Sequence, residues 1–124
     1  MGETCGALTG AIMGVCCVVG REKFEDQEQY GKAMEEANKV YRLFRDEVGH
    51  THCEGIHKIR YGKVYHMINP DEREAFHDDG GHSRTGCPEV CGIAGRIAAE
   101  VILDLQKGSS KRKFAKTRIL KNSK

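Results

Sequence analysis

The segment from residue 26 to residue 49 constrains the fold more than any other part of the chain. Apolar residues recur there every three or four positions, which is the repeat of one face of an α-helix. This predicted stripe consists of Tyr30, Met34, Ala37, Tyr41, Phe44 and Val48. Asp26 or Gln27 begins the predicted helix, which continues to Val48, and Gly49 closes it. Together with two further helical segments, it predicts an all-α fold, a small bundle of three to four helices.

A second helix is predicted near the start of the chain, from about Cys5 to Val19, with Thr4 as its cap. Gly6, Gly10 and Gly14 recur every four residues and therefore lie along one stripe of it. A glycine in a helix interior costs about 1 kcal/mol relative to alanine. Three of them make sense where another backbone approaches closely, so this helix is predicted to be buried on most sides.

The last helix is predicted to begin at Cys87, because the proline that follows is favoured in a first helical turn. Gly108 is expected to end it. All acidic residues of the chain lie before Lys107, and eight basic residues follow from there. Residues 1–107 are therefore interpreted as a helical domain, and residues 108–124 as a flexible basic tail. Contact of that tail with nucleic acid or an anionic membrane is the alternative.

The chain between the second and the last helix is predicted to be mostly irregular. Thr51 can cap a short helical turn that carries Cys53 and Ile56. From residue 60 to residue 86 the apolar repeat disappears, and Asn69-Pro70 and Gly80-Gly81 are interpreted as helix breakers. A loop of that length in a small domain is usually functional or partly disordered.

Hydropathy and cysteine usage together predict a cytoplasmic protein. No stretch reaches the roughly 20 apolar residues needed to cross a bilayer. The run from residue 7 to residue 19 lacks a basic region before it and is not expected to be a signal peptide. In the cytoplasm thiols stay reduced, and clustered cysteines more often serve metal or redox chemistry than structural bridges.

Three of the six cysteines, Cys5, Cys53 and Cys87, lie at predicted helix starts. The free N–H groups and the positive dipole end of a helix stabilise a thiolate, so the thiol pKa is expected to be lowered there. A thiolate is both a metal ligand and a nucleophile, and either role is open. Cys91, one turn after Cys87, can join such a site or pack beneath it. Cys16 and Cys17 are interpreted as packing residues.

Histidines offer a second kind of ligand, and His52 and His57 are the best candidates because they lie close to Cys53. The sequence contains no Cys-x-x-Cys pair, so neither a thioredoxin-type motif nor a zinc ribbon is present. Cys-x-x-Cys-His is also absent, which argues against covalently attached haem.

Three segments resemble the C_GCAxxG_C_C family of redox-active proteins. Residues 2–11 read GETCGALTGA and are similar to its Cys-Gly-Ala-x-x-Gly signature. Residues 44–53 read FRDEVGHTHC and resemble the segment that ends in its next cysteine. Cys87-Pro-Glu-Val and the helix after it resemble its closing segment. The resemblance covers about residues 1–106 and implies a small helical protein whose functional cysteines are Cys5, Cys53 and Cys87.

The resemblance also implies a cofactor and an assembly. A similar domain occurs in split-Soret cytochromes, where an iron–sulfur centre accompanies the haems. The family carries another cysteine on a helix upstream of the signature, and this sequence does not contain it. Cys91, a histidine or a second chain is then expected to supply the fourth ligand. Without that helix the glycine stripe is left uncovered, and a homodimer through the stripe is expected.

Three functional hypotheses follow. The first is an electron-transfer or redox-sensing protein in which Cys5, Cys53 and Cys87 hold an iron–sulfur cluster, most plausibly [2Fe–2S], and the acidic body docks a redox partner protein. The second is thiol–disulfide exchange without metal between two cysteines such as Cys5 and Cys53. The third is a structural zinc site completed by His52 or His57. An electron-transfer or redox role is expected rather than a catalyst with its own substrate.

Overall fold

The computed structural model describes the backbone of residues 2–121 and the side chains of residues 2–108. Its five helices are α1 (Gly6–Val19), α2 (Gln27–Val48), α3 (Cys53–Tyr61), α4 (Pro70–Asp78) and α5 (Cys87–Lys121). Over the described backbone the only pairing of β type is one isolated antiparallel bridge between Thr4 and His52. The all-α prediction is confirmed, with one or two helices more than expected. Among the described residues, no helix is long and apolar enough to cross a membrane.

Helices α1, α2 and α5 contact one another and enclose the main hydrophobic core. Each of the three contributes side chains that are almost completely buried. These are Leu8 and Val15 of α1, Val40 and Phe44 of α2, and Val90, Ile97 and Val101 of α5. Burying a side chain of this size stabilises a fold by about 1.5–3 kcal/mol before entropy is considered. The three long amphipathic segments therefore determine the architecture.

The bounds of α2 are as predicted, but its buried face agrees with the predicted stripe only at Phe44 and Val48. Asp26 caps the helix by accepting a hydrogen bond from the Gln29 N–H at 2.9 Å, and Gly49 ends it with a left-handed φ of 96°. The residues that face α1 and α5 are Ala33, Val40, Phe44 and Val48. Tyr30, Met34 and Tyr41 of the predicted stripe lie at 37–52% exposure. Small Ala33 lets the neighbouring helix approach, whereas the rings of Tyr30 and Tyr41 lie under surface arginines.

The glycine stripe of α1 is open. A Cβ atom added to Gly6, Gly10 or Gly14 would meet nothing within 4 Å, so no backbone in the described part of the chain approaches them. Helix α1 is buried on one side only, through Leu8, Ala11, Val15 and Val19. The prediction of burial on most sides is wrong within a single chain, because α2 and α5 both pack on the side opposite the glycines.

Thr4 and Thr51, the two threonines expected to cap helices, do not occupy capping positions. Cys5 is the N-cap of α1 and His52 that of α3, and neither side chain makes a capping hydrogen bond. Thr4 is paired with His52 instead, and the Thr51 carbonyl accepts the Cys5 N–H at 2.8 Å. Pairing between the two segments holds the threonines in extended backbone and removes them from capping positions.

The segment predicted to be a long loop contains a helix and the end of another. Helix α3 continues to Tyr61, and α4 begins at the Asn69-Pro70 step that was predicted to break a helix. The Asn69 side chain accepts from the Asp71 N–H at 2.9 Å, and Pro70 occupies the first turn, where its missing N–H costs nothing. The same dipeptide that ends one helix can therefore begin another.

Helix α5 begins at Cys87 as predicted but runs through Gly108 to Lys121. The predicted end at Gly108 is wrong, because one glycine costs only about 1 kcal/mol and favourable flanking residues can carry a helix across it. The side chains of residues 109–124 lie outside the described residues, and so does the prediction about what the basic tail contacts.

A candidate cysteine redox site

A short antiparallel ladder brings Cys5 and Cys53 together. The Cys5 N–H donates to the Thr51 carbonyl at 2.8 Å, and the Cys53 N–H donates to the Glu3 carbonyl at 2.9 Å. The two cysteines flank the Thr4–His52 pair diagonally, so both side chains leave on the face opposite that pair. Their thiols are near enough for Cys5 to raise the pKa of Cys53.

Cys87 reaches the same place from the start of α5. Its N–H donates to the Gly81 carbonyl at 2.9 Å, across a tight turn that Gly86 completes. A Cβ at residue 86 would lie 2.5 Å from the carbonyl oxygens of both Gly80 and Gly81. Only glycine fits there, and the turn fixes where Cys87 begins its helix. Three helix starts thus bring three thiols to one place, near enough for their charges to interact.

The thiol pKa values move in the direction opposite to the prediction. Burial raises the pKa of Cys53, and the neighbouring Cys5 and Cys87 raise it further because thiolates repel one another. Burial also raises the pKa of Cys87, with Cys5 adding to the effect and Tyr61 and Arg60 opposing it. The expected lowering by helix dipoles is therefore wrong for both residues, since lost hydration and like charges outweigh the dipole.

The cysteines differ in exposure. Cys5 is 9% exposed and belongs to the hydrophobic core, whereas Cys53 and Cys87 are partly buried. Cys91 is exposed, yet its charge reaches Cys87 and raises the pKa of that thiol. On the opposite end of α1, Cys17 is exposed, so its interpretation as a packing residue is wrong. A reagent or partner in solution therefore reaches Cys53 more easily than Cys5.

The two candidate histidines are placed differently. His52 is exposed at the start of α3, where its Nδ1 lies 3.2 Å from the Thr51 hydroxyl. His57 is only 5% exposed and lies in a group of rings, with centroids 5.0–5.9 Å from those of Tyr61, Tyr65 and Phe76. We call these four residues the aromatic cluster. Burial lowers the pKa of His57, and its Nδ1 has no hydrogen-bond partner. His57 is therefore part of a hydrophobic packing unit.

Two residues that the sequence did not single out lie at the site. The Arg60 guanidinium donates to the Thr85 carbonyl at 2.9 Å and to Glu89 at 2.6 Å, which ties the end of α3 to the start of α5. The Tyr61 hydroxyl is buried, and burial followed by the charge of the Cys87 thiol raises the pKa of Tyr61. Tyr61 follows Cys53 by eight residues, two turns along one helical face, a signal that is readable only once α3 is known to extend that far.

The arrangement tests which metal could fit. A single ion bound at about 2.3 Å by several thiolates draws their sulfurs to within about 4 Å of one another. No group of three or more His, Cys, Asp or Glu side chains in the described part of the chain is arranged to hold a metal ion. In the described residues the three thiols are therefore not preassembled as a site for a single ion. An all-thiol donor set suits an iron–sulfur cluster, which spreads its ligands over more than one iron.

Comparison with known proteins places this architecture in a family. The model of the family described as "Putative redox-active protein (C_GCAxxG_C_C)" matches residues 1–101. This range contains the ladder, the aromatic cluster and the thiols of Cys5, Cys53 and Cys87. No curated protein and no solved structure matched the chain. The chain belongs to the C_GCAxxG_C_C family of redox-active proteins.

Proposed function

We propose that this member of the family is a thiol-based redox protein in which Cys5 and Cys53 exchange two electrons with a partner disulfide. The observation that carries the proposal is the main-chain ladder, which sets Cys5 and Cys53 on one face of two paired segments, where the Cys5 thiol raises the pKa of Cys53. Two cysteines can be bridged without backbone movement when their Cα atoms lie within about 7 Å, and diagonal neighbours on paired antiparallel segments lie about 7–8 Å apart, so a small shift of the ladder would accompany disulfide formation. The segments are held together by main-chain hydrogen bonds, so the thiols stay close in the reduced protein.

The difference in exposure between Cys53 and Cys5 determines which thiol attacks the partner first. The thiolate of Cys53, the more exposed of the pair, attacks one sulfur of the partner disulfide, and the other partner sulfur leaves as a thiolate that takes up a proton. Cys5 then gives up its proton and attacks Cys53 Sγ in the mixed disulfide, which releases the second partner sulfur. The two thiols are oxidised to one disulfide, and the partner disulfide is reduced to two thiols. The same steps in reverse oxidise the partner.

The experiment is a redox titration of the purified protein in glutathione buffers, followed by mass-spectrometric mapping of the disulfides. We expect one Cys5–Cys53 disulfide that forms and disappears reversibly. Cys5→Ser and Cys53→Ser are expected to abolish it. Cys17→Ser, which removes an exposed thiol from the same helix as the Cys5 cap, is the matched control and is expected to leave it intact. Absence of this disulfide at every potential would refute the proposal.

A second candidate function is an iron–sulfur module with a [2Fe–2S] cluster, for electron transfer or redox sensing. It is supported by the third thiol beside the pair, Cys87, and by Cys91 one turn further along α5 as a possible fourth ligand. Anaerobic purification with a visible spectrum and iron analysis distinguishes the two functions. Stoichiometric iron that is lost in Cys53→Ser and kept in Cys17→Ser would favour the cluster. Colourless, iron-free protein with a reversible disulfide would favour thiol exchange.

The proposal includes a partner, an assembly and a compartment. Residues 1–106 carry six more acidic than basic side chains, which suits docking to a basic redox partner protein. The uncovered glycine stripe, with exposed Met13 and Val18 nearby on α1, is the surface on which we place a second copy of the chain. Reversible thiol chemistry is suited to the reducing cytoplasm. Light scattering of the purified chain tests the homodimer directly.

A further inference from the structure

His77 and His82 have exposed rings that make no hydrogen bond within the part of the chain that the structure describes. His57, by contrast, is buried in the aromatic cluster. The remaining three imidazoles each take part in a hydrogen bond at 2.9–3.2 Å; they belong to His50, His52 and His66. An exposed neutral imidazole without such a bond keeps the lone pair of one nitrogen for another group. His77 and His82 are therefore the histidines that are free to bind a ligand from solution.

The end of α4 brings these two rings together. His77 lies in the last turn of the helix, and its carbonyl accepts the Gly80 N–H at 3.0 Å. Gly80 has a left-handed φ of 87°, and the Gly81 N–H donates back to the Phe76 carbonyl at 2.8 Å. These two bonds form a Schellman motif, which reverses the chain at the end of a helix. His82 follows the reversal and therefore returns beside the turn that carries His77.

The Phe76 ring fixes the position of His82. The two rings meet edge to face, with centroids 5.2 Å apart, and Phe76 itself is only 3% exposed. A Cβ at residue 81 would lie 2.3 Å from the Phe76 ring, so glycine at this position lets the chain pass close to it. The ring centroids of His77 and His82 are 5.6 Å apart as a result. The pair thus lies on a packed base.

The separation of the two rings fits a shared metal ion. An imidazole nitrogen binds zinc at about 2.0–2.1 Å, and the centre of the ring lies roughly 1.1 Å behind that nitrogen. Two imidazoles on one tetrahedral ion therefore have centroids about 5.2 Å apart. The distance of 5.6 Å between His77 and His82 differs from this value by a small side-chain rotation, and exposed side chains rotate readily.

We propose that His77 and His82 bind one divalent metal ion of the class that prefers imidazole, such as Zn²⁺ or Ni²⁺. In the described residues no third ligand is arranged with the pair, so water fills the remaining positions of the ion. The ion would join the last turn of α4 to the turn that precedes Cys87. This site is separate from the three thiols and does not depend on their chemistry.

A second pair of histidines at a similar separation lacks this ability. The ring centroids of His50 and His52 are 5.5 Å apart, but the His50 Nδ1 accepts the His52 N–H at 3.0 Å. A neutral imidazole that accepts at one nitrogen carries its proton on the other. The His50 ring therefore has no free lone pair for a metal ion, and distance alone does not make a site.

The test is the rate at which each histidine of the full-length protein reacts with diethyl pyrocarbonate, with and without zinc chloride, measured by mass spectrometry. A metal-bound imidazole has no free lone pair, so we expect zinc to protect His77 and His82 together. At ten times the zinc concentration that halves their rates, both are expected to react about elevenfold more slowly. His82→Gln removes one ligand and is expected to raise the zinc concentration that protects His77 at least about tenfold.

His66→Gln is the matched control. It removes an exposed imidazole that is already paired with Glu72 at 2.9 Å, and we expect it to leave the protection of His77 and His82 unchanged. Cys53→Ser separates this site from the thiols and is expected to have no effect either. Unprotected His77 and His82, or equal protection of His77 in His82→Gln, would overturn the inference. Loss of protection in Cys53→Ser would assign the zinc to the thiols and overturn it as well.

Discussion

The three-helix core and the aromatic cluster are built on different principles. The core is mainly aliphatic and comes mostly from α1, α2 and α5, whose apolar residues repeat along helices of 14 residues or more. The cluster consists of rings supplied by α3, α4 and the segment between them. The thiols lie where the two regions meet, since Cys5 packs into the core and Cys87 is near enough to Tyr61 of the cluster to raise its pKa. The core therefore holds the fold, and the cluster positions the chemistry.

The largest expected effect on stability comes from replacing one buried phenylalanine in each region. Phe44→Ala leaves a cavity in the core and is expected to lower the free energy of unfolding by about 3–5 kcal/mol, measured by denaturant titration. Phe76→Ala is expected to cost less global stability and to raise amide hydrogen exchange mainly in α3 and α4. Phe24→Ala, at a side chain that is 78% exposed, is the control and should change stability by about 0.5 kcal/mol or less.

A uniform increase in amide exchange over all helices of Phe76→Ala would contradict the division into two regions. So would a loss of stability in Phe76→Ala as large as that in Phe44→Ala. Either result would mean that the cluster is a continuation of the core rather than a separate unit.

A second, smaller effect tests the turn that links the cluster to α5. Gly86→Ala places a methyl group 2.5 Å from two backbone oxygens, which cannot move as a flexible side chain can. It is expected to destabilise the fold by about 1–3 kcal/mol and to shift Cys87 away from Cys53. Gly92→Ala, on the same helix with open space around it, is expected to stabilise the protein by about 0.5–1 kcal/mol.

Thermal unfolding measures both glycine variants, and cross-linking with a short bifunctional thiol reagent reports the approach of Cys87 to Cys53. Equal behaviour of Gly86→Ala and Gly92→Ala in both measurements would show that the turn does not fix the start of α5.

The smallest effect concerns pH and is confined to the cluster. Burial lowers the pKa of His57 below its ordinary value of 6.5, so below that pH the unfolded chain takes up a proton that the folded chain excludes. Stability is therefore complete above about pH 6.5 and falls as the pH drops from there, by at most about 1.4 kcal/mol per pH unit for one proton. We expect His57→Phe to remove this part of the pH dependence.

Urea titrations between pH 7.5 and pH 5 compare the two proteins. Glu72 and Asp79 also have lowered pKa values, because they accept hydrogen bonds from His66 and from Lys63 and Tyr65, but their contribution is lost only at lower pH. A slope that is the same in His57→Phe as in the unchanged protein would place the titrating group elsewhere.

How much the sequence predicts differs between the two regions for a physical reason. Periodicity and glycine stops are local signals, and they predicted the bounds of α2 at Asp26 and Gly49. The face of α2 that is buried depends on where α1 and α5 pack, and the predicted stripe was wrong at Met34. Asn69-Pro70 is equally able to end a helix or begin one, and only the chain that follows decides between them.

For the candidate site, the sequence indicated that Cys5, Cys53 and Cys87 lie at helix starts but not how they come together. Their approach depends on main-chain pairing between residues 3–5 and 51–53, which leaves no pattern in the side chains. The raised pKa values follow from burial and mutual repulsion, and these depend on the same approach. The predicted lowering used the helix dipole alone, the one contribution that a sequence shows.

The ladder between residues 3–5 and 51–53 also links the redox state of the cysteines to the stability of the fold. It closes a loop of about 50 residues that contains α1 and α2, and a Cys5–Cys53 disulfide would be a covalent version of the same closure. Cross-linking a loop of that size removes entropy from the unfolded chain worth about 4 kcal/mol. By a thermodynamic cycle, folding makes the disulfide harder to reduce by the same amount, about 90 mV for two electrons. A change that weakens the pairing of residues 3–5 with 51–53 would therefore make a Cys5–Cys53 disulfide easier to reduce, and the protein a stronger oxidant.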